Sequence, residues 1–518
     1  MARRLRASGF ARRLRAGAPG FGRNFAIGAL ASLGQAPFGL WPLALAGFAL
    51  ALLRIGAATG PGAAFARGVG VGAGYFGISL SWIVQPFFVD PLRHGWMAPF
   101  AVLGVAFGLG LFWGAAGWLS RRMGGGAVTL ALALSLAELA RGHVLTGFPW
   151  ALPGHIWAGT WLAQMAALTG AYGMTLLTLL AVAAPLSLGP WRGGALTLAI
   201  AGLAGGWSLH RLSLPEPPAR PGLVRIVQPD IEQSLKWDPD LARANFDLLR
   251  ALSTGDPVDL VIWPETAVPY LVEPEGPVAQ AISASAGGAP VATGIQRDEG
   301  AGVGEGSGRA WNTLAVFGPG GRVGQHFDKV HLVPFGEYIP GGDLVYRLTG
   351  LRAFASQVGA GYTAGEGRNL LDFGELGRAL PLICYEAIFP QHLAGTARGD
   401  WILQVTNDAW FGTLTGPYQH FAQVRLRAIE QGLPVLRAAN TGISAVIDAR
   451  GRVARLPGGA AARLDLGMRG VIEAAIPGAL PAPPYARMIA RFGEAPLLAL
   501  LLAGLGLSAL RGRRIAAG

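Results

Sequence analysis

In the first 212 residues of this 518-residue chain the only acidic side chains are Asp90 and Glu138; the other 28 of the 30 aspartates and glutamates follow Leu212. So long a stretch with so few carboxylates does not suit an ordinary solvated surface, so the chain divides into halves built for two solvents. Composition agrees, because 52% hydrophobic and 14% charged residues is too apolar for a wholly soluble protein. The net charge of +12 does not point to nucleic acid, since the arginines cluster near the N-terminus and between apolar runs. A single cysteine excludes an internal disulfide framework and a multi-cysteine metal site. No metal or cofactor is expected.

The first half reads as a membrane domain over residues 1–212 with about seven transmembrane helices. Its apolar runs cover Phe25 to Leu40, Pro42 to Leu53, Gly68 to Phe88, Met97 to Leu119, Ala127 to Arg141, Trp161 to Leu188 and Ala195 to Leu209. Frequent glycine suits close helix packing in lipid. Six arginines in MARRLRASGFARRLRAG read as an uncleaved cytoplasmic tail. The connections holding Arg54 and Arg67, Arg121 and Arg122, and Arg192 then fall on the same side, as do Arg511, Arg513 and Arg514. That alternation puts residues 213–482 outside the cytoplasm, and Ala495 to Leu510 returns the chain as a last span within 483–518. Glu138 is costly in lipid, but Arg141 three residues on offers it a structural ion pair. GFPWALPGH, Gly147 to His155, suits an interfacial belt or a lipid entrance.

After the Pro-rich LPEPPARPG the pattern becomes α/β. Strands are predicted over Leu223 to Val227, Val258 to Trp263, Pro290 to Gly294, Thr313 to Phe317, Ala379 to Cys384, Trp401 to Val405, Val435 to Ala439 and Ala445 to Asp448. Helices are predicted over Asp238 to Leu252, Pro277 to Ala286, Glu386 to Ala397 and Tyr418 to Gln431. Gly300 to Gly308 reads as a loop tip without a phosphate-binding signature.

Three strand ends attract chemistry. Cys384 ends the apolar run Ala379 to Ile383, where the first N–H groups of a following helix would lower a thiol pKa and supply a nucleophile. A lone cysteine also fits a small buried hydrophobe. Lys329 and Lys236 are the only lysines among 42 basic residues. Arginine serves any surface role, whereas lysine is a compact point charge with rotating donors. Glu265 follows VDLVIWP at the carboxyl edge of a strand, where α/β sheets place their sites. A thiolate needs a carboxylate to take its proton and a cation for the oxyanion, with the Tyr385 N–H as a second donor. His331 and His420 allow a Cys-His rival.

WPET (Trp263 to Thr266), KVHLVPFGEYIP (Lys329 to Pro340) and CYE (Cys384 to Glu386) together resemble the Glu-Lys-Cys triad of the nitrilase superfamily. With QSLKWDP (Gln233 to Pro239), GFPW and the membrane layout, the chain is similar to the apolipoprotein N-acyltransferase family. The resemblance implies a multi-span α-helical membrane domain plus an α/β nitrilase-like αββα sandwich in an inner membrane protein, catalytic domain on the periplasmic side. It implies Glu265 as base, Lys329 as oxyanion stabiliser and Cys384 as nucleophile. Glu337 and Glu386 would support the triad, and Trp237 and Tyr385 would belong to mobile elements or pocket walls. The partners implied are a phospholipid acyl donor, usually phosphatidylethanolamine, and a diacylglyceryl apolipoprotein acceptor.

Val345 to Gly359 is the candidate for a lipid-facing lid. Two other readings remain at this point: a membrane-tethered nitrilase-type amidase using water as acceptor, and a transporter or sensor whose outer domain only binds ligand.

Overall fold

The computed structural model describes residues 20–299, 309–342, 353, 361–393 and 397–517. It divides into two compact units, Met1–Ser213 with Phe492–Gly518, and Leu214–Arg491. The arginine-rich segment before residue 20, the loop tip Gly300 to Gly308 and, apart from Ala353, the lid candidate Val345 to Gly359 lie outside the described residues.

In the first unit, helices cover 20–32, Trp41–Gly56, Pro61–Ser79, Ala98–Arg122, Ala127–Arg141, Ala166–Leu188, Pro190–Ser213 and Ala495–Ala517. Among the described residues, three helical stretches are long and apolar enough to cross a membrane: Pro91–Arg122, Trp161–Leu188 and Ala495–Gly512. Glycine lets backbones meet here: a Cβ on Gly28 or Gly74 would collide with the main-chain oxygens of Val71 and Phe25. Glu138 pairs with Arg141, both fully buried. Trp113 Nε1 donates to Glu138 Oε1 at 2.7 Å, and Arg141 donates to the Phe148 carbonyl. Every charge in that group has a partner, so its role is structural.

Among the described residues the second unit holds twelve strands: β1 (Val224–Gln228), β2 (Leu260–Ile262), β3 (Val291–Glu299), β4 (Arg309–Phe317), β5 (Val323–Asp328), β6 (Leu371–Asp372), β7 (Arg378–Ile383), β8 (Trp401–Thr406), β9 (Val435–Ala439), β10 (Ser444–Ile447), β11 (Arg463–Leu464) and β12 (Gly470–Ala474). They form two six-stranded sheets, ordered β12-β1-β2-β3-β4-β5 and β11-β10-β9-β8-β7-β6. Strands β1 to β3 run parallel to one another, as do β7 to β9. Gln228 Oε1 accepts from Ser444 N at 3.0 Å and ties one sheet to the other.

Helices Pro239–Ser253 and Pro277–Ser285 cover the first sheet, setting Phe246, Leu249 and Ile282 against Val227, Val261, Val291 and Phe317. Helix Gly416–Gln431 covers the second, setting Phe421, Val424 and Ala428 against Leu380, Leu382, Ile402 and Val435. The result is the αββα sandwich expected. Local signals agree with it: Asp238 caps the first helix by accepting from Asp240 N at 2.9 Å, and Gly432 ends the last in a left-handed conformation at φ 63°.

Two differences from the sequence reading have physical causes. The strands not foreseen, β5, β6, β11 and β12, are the four sheet edges. An edge strand is half solvated and carries polar residues, so it lacks the apolar run that marks an interior strand. In place of the helix predicted over Glu386 to Ala397 there are two short 3-10 turns, Cys384–Ile388 and Pro390–Leu393. Pro390 forces Phe389 into an extended conformation (φ −93°, ψ 106°) and stops the helix.

Candidate active site

The polar residues of interest leave the sheets at the carboxyl ends of β2, β5, β7 and β8. Glu265 follows β2 and is buried. Its Oε1 accepts from Asn312 Nδ2 at 2.7 Å and faces Lys329 Nζ at 3.5 Å, while its Oε2 accepts from Asn407 N at 2.9 Å. Lys329 follows β5, is 1% exposed, and donates to Glu337 Oε1 at 2.8 Å. Burial alone would lower its pKa, but the Glu337 and Glu265 carboxylates and Cys384 outweigh that and raise it, so the ammonium stays charged. Asn312 Nδ2 also donates to Glu337 Oε1 at 2.9 Å and so holds both carboxylates.

Cys384 follows β7 at φ 48°, a left-handed conformation costly for any side chain but glycine. Such a turn lifts a nucleophile out of the end of its strand. The thiol is not lowered as the helix-dipole argument expected. Burial pushes it well up, the Glu265 carboxylate pushes it further, and the Lys329 ammonium opposes both. A five-residue 3-10 turn has too small a dipole to offset that desolvation. The resting sulfur is therefore a protonated thiol, and it ionises only when a base takes the proton.

Glu386 joins two of these strand ends. Its Oε1 accepts from Val330 N at 3.1 Å, His331 N at 3.2 Å and Arg368 at 2.8 Å, and its Oε2 accepts from Ile383 N at 2.9 Å. The segment after Lys329 is thus locked to the strand before Cys384. Glu386→Ala strands the buried Arg368 charge and three main-chain donors, so a loss of about 3–5 kcal/mol is expected. A wild-type thermal unfolding temperature for that variant in detergent would contradict this.

His420 grips the main chain at Cys384. Its Nδ1 lies 2.9 Å from Asp408 Oδ1, and its Nε2 lies 3.2 Å from the main-chain oxygen of Cys384. Gln404 Nε2 reaches the same oxygen at 3.4 Å, and Arg437 donates to Gln404 Oε1 and to Asp408 Oδ2, each at 2.5 Å. Burial and Arg437 lower the His420 pKa despite Asp408, and Asp408 is held below the carboxylate range by Arg437 and His420 despite its burial. Because the carbonyl of Cys384 and the N–H of Tyr385 share one planar trans peptide, gripping the oxygen also aims the N–H the opposite way. His331 packs on Phe389, with ring centroids 4.2 Å apart. These contacts engage both rings, and none of them supports the Cys-His rival.

The Tyr385 ring is buried against Phe389 at 5.0 Å, and the half-buried Trp237 ring lies 5.7 Å from Lys236 Nζ. Of the residues singled out, Glu265, Lys329 and Glu337 come together in one buried charged cluster that acts electrostatically on the buried Cys384 thiol, with Glu386 bracing the strand ends. Sequence reasoning missed Asn312, Arg368, Gln404, Asn407, Asp408 and Arg437. For Asn407 and Asp408 a signal existed: a polar pair just after the strand predicted over Trp401 to Val405, at the edge where sites form.

The chain matches known families over both halves. Residues 27–184 match the family described as apolipoprotein N-acyltransferase N-terminal domain, and residues 223–480 match carbon-nitrogen hydrolase. An apolipoprotein N-acyltransferase of Caulobacter vibrioides is 42% identical over 500 residues, covering 92% of this chain and 91% of that protein. Another from Allorhizobium ampelinum is 37% identical, covering 83% and 85%. Among solved structures, Nit3 of Saccharomyces cerevisiae, of the nitrilase superfamily, is 20% identical over 54% of this chain and 96% of that one, with a TM-score of 0.36. With this identity over nearly the whole of both sequences, the chain belongs to the apolipoprotein N-acyltransferase family.

Proposed function

We propose that this protein moves a fatty acyl chain from a membrane phospholipid, phosphatidylethanolamine first among them, through a thioester on Cys384 to the N-terminal amine of a diacylglyceryl-cysteine on an apolipoprotein. The observation that carries the reading is the shared burial of Glu265, Lys329 and Cys384, which leave three different strands of two sheets and act on one another electrostatically.

In the first half-reaction Glu265 takes the thiol proton as Sγ attacks the ester carbonyl carbon. The oxyanion forms against the Lys329 ammonium and the Tyr385 N–H. The C–O bond then breaks, and the lysophospholipid alkoxide leaves with the proton from Glu265. In the second, the acceptor amine attacks the thioester, Glu265 takes the amine proton, the C–S bond breaks and the thiolate recovers the proton. Glu337 and Asn312 hold Glu265 and Lys329 in register, Glu386 holds the Cys384 turn, and Trp237 and Tyr385 wall the acyl pocket. The alternation of arginines supports an inner-membrane protein with about seven spans in 1–212, a periplasmic catalytic domain in 213–482 and a last span in 483–518.

The test is incubation with phosphatidylethanolamine labelled in one acyl chain together with a diacylglyceryl-cysteine peptide. Label is expected on the peptide amine, with stoichiometric lysophospholipid. Free fatty acid without labelled peptide would replace transfer by hydrolysis, the amidase-like outcome.

A further inference from the structure

The chain carries 42 lysines and arginines, and only two of them are lysines. Lys329 has its role above. Lys236 is as deeply placed, 3% exposed, and its Nζ donates to the main-chain oxygen of Glu265 at 3.1 Å and to Thr266 Oγ1 at 2.8 Å. Thr266 holds φ 42°, an unfavourable conformation for a residue with a Cβ. The ammonium therefore clamps the strained turn that presents the Glu265 carboxylate. A sequence that uses arginine everywhere else has kept lysine at two buried places, where a planar guanidinium does not replace a compact ammonium.

Charge counting gives the clamp a second task. Glu265 and Glu337 are both buried and share Asn312 and Lys329. One ammonium faces two desolvated carboxylates, and burying both is less costly with a second positive charge nearby. A protonated Glu265 could not act as a base. Two further titratable groups acting on this cluster bring no positive charge. The Cys384 thiol and the Tyr362 phenol are both kept protonated by burial.

We infer that Lys236 is a positioning residue for the base: its ammonium pins the Glu265 turn and supplies the second positive charge that keeps Glu265 ionised. The inference rests on Glu265 serving as the base in the function proposed above. Burial brings Lys236 down to about 8, against the pull of Glu265 and Cys384, so it is charged at neutral pH and discharges in mildly alkaline solution.

The experiment is the pH dependence of single-turnover acylation of Cys384 in the full-length protein, followed by mass spectrometry with phosphatidylethanolamine vesicles. Lys236→Gln can still donate a hydrogen bond but loses the charge, so its acid limb moves to higher pH by about 1–3 units, as expected for a carboxylate losing a cationic neighbour. Lys236→Arg keeps the charge and holds the wild-type acid limb, whatever its absolute rate. An acid limb in Lys236→Gln coincident with wild type overturns the inference even if the rate falls, because a purely structural clamp would lower the rate without moving the limb. Should Lys236→Gln fail to fold, Lys236→Met carries the same comparison. Acyl adduct persisting on Cys384→Ala would instead strike the functional proposal, so the two failures are distinguishable.

Discussion

Purified protein incubated with a long-chain phospholipid is expected to gain the mass of one acyl group, and the Cys384→Ala variant to gain none. The chain has one cysteine, so no second thiol can take its place. The thiol is protonated at rest because burial and the Glu265 carboxylate raise its pKa, so acylation depends on the base and the oxyanion donors being present together. Removing the nucleophile from such a unit costs on the order of 10⁶ in turnover, and what survives comes from binding alone. Cys384→Ser is expected to be equally blank. The site is tuned to ionise a thiol, and a serine hydroxyl gives up its proton far less readily. The same adduct mass on Cys384→Ala would place the acyl group elsewhere and end the assignment.

Lys329→Arg is expected to lose nearly all turnover although it keeps the charge. Lys329 Nζ is almost completely buried between Glu337 Oε1 at 2.8 Å and Glu265 Oε1 at 3.5 Å. A guanidinium is wider and planar, and it would pair with these two carboxylates as a fork instead of leaving a point donor for the oxyanion. Loss of one oxyanion donor costs about 10²–10³ in kcat. Lys329→Met should do at least as much damage and should also lower the unfolding temperature, since it leaves Glu265 and Glu337 without the cation they share. Thermal unfolding of both variants separates the two effects. Lys329→Arg with near-normal turnover would remove the role given to this residue.

Interior strands were legible because they are buried on both faces and read as short, largely apolar runs; Val435–Ala439 was placed to the residue although Arg437 lies inside it. The four edge strands were not, since solvent on one side removes the run. The helix expected after Cys384 failed on Pro390, a stop signal present in the sequence. Glu265, Lys329 and Cys384 were each visible from a distinct cue: a carboxylate at a strand end, a rare lysine and a unique thiol. Asn312 and Arg368 were invisible, because an asparagine inside β4 and an arginine on a loop look ordinary until the chain places them against buried carboxylates.

The sequence by itself determined the division into an apolar and an α/β half, the interior strands, and which thiol, carboxylate and lysine to weigh as a candidate site. These are properties of composition and of short runs, readable without knowing what touches what. Only the tertiary structure decided that burial raises the thiol pKa, that His420 grips the Cys384 backbone, and that Lys236 stands under Glu265. Ionisation depends on desolvation and on charges brought from residues over a hundred positions apart. Neither exists until the ends of β2, β5, β7 and β8 converge.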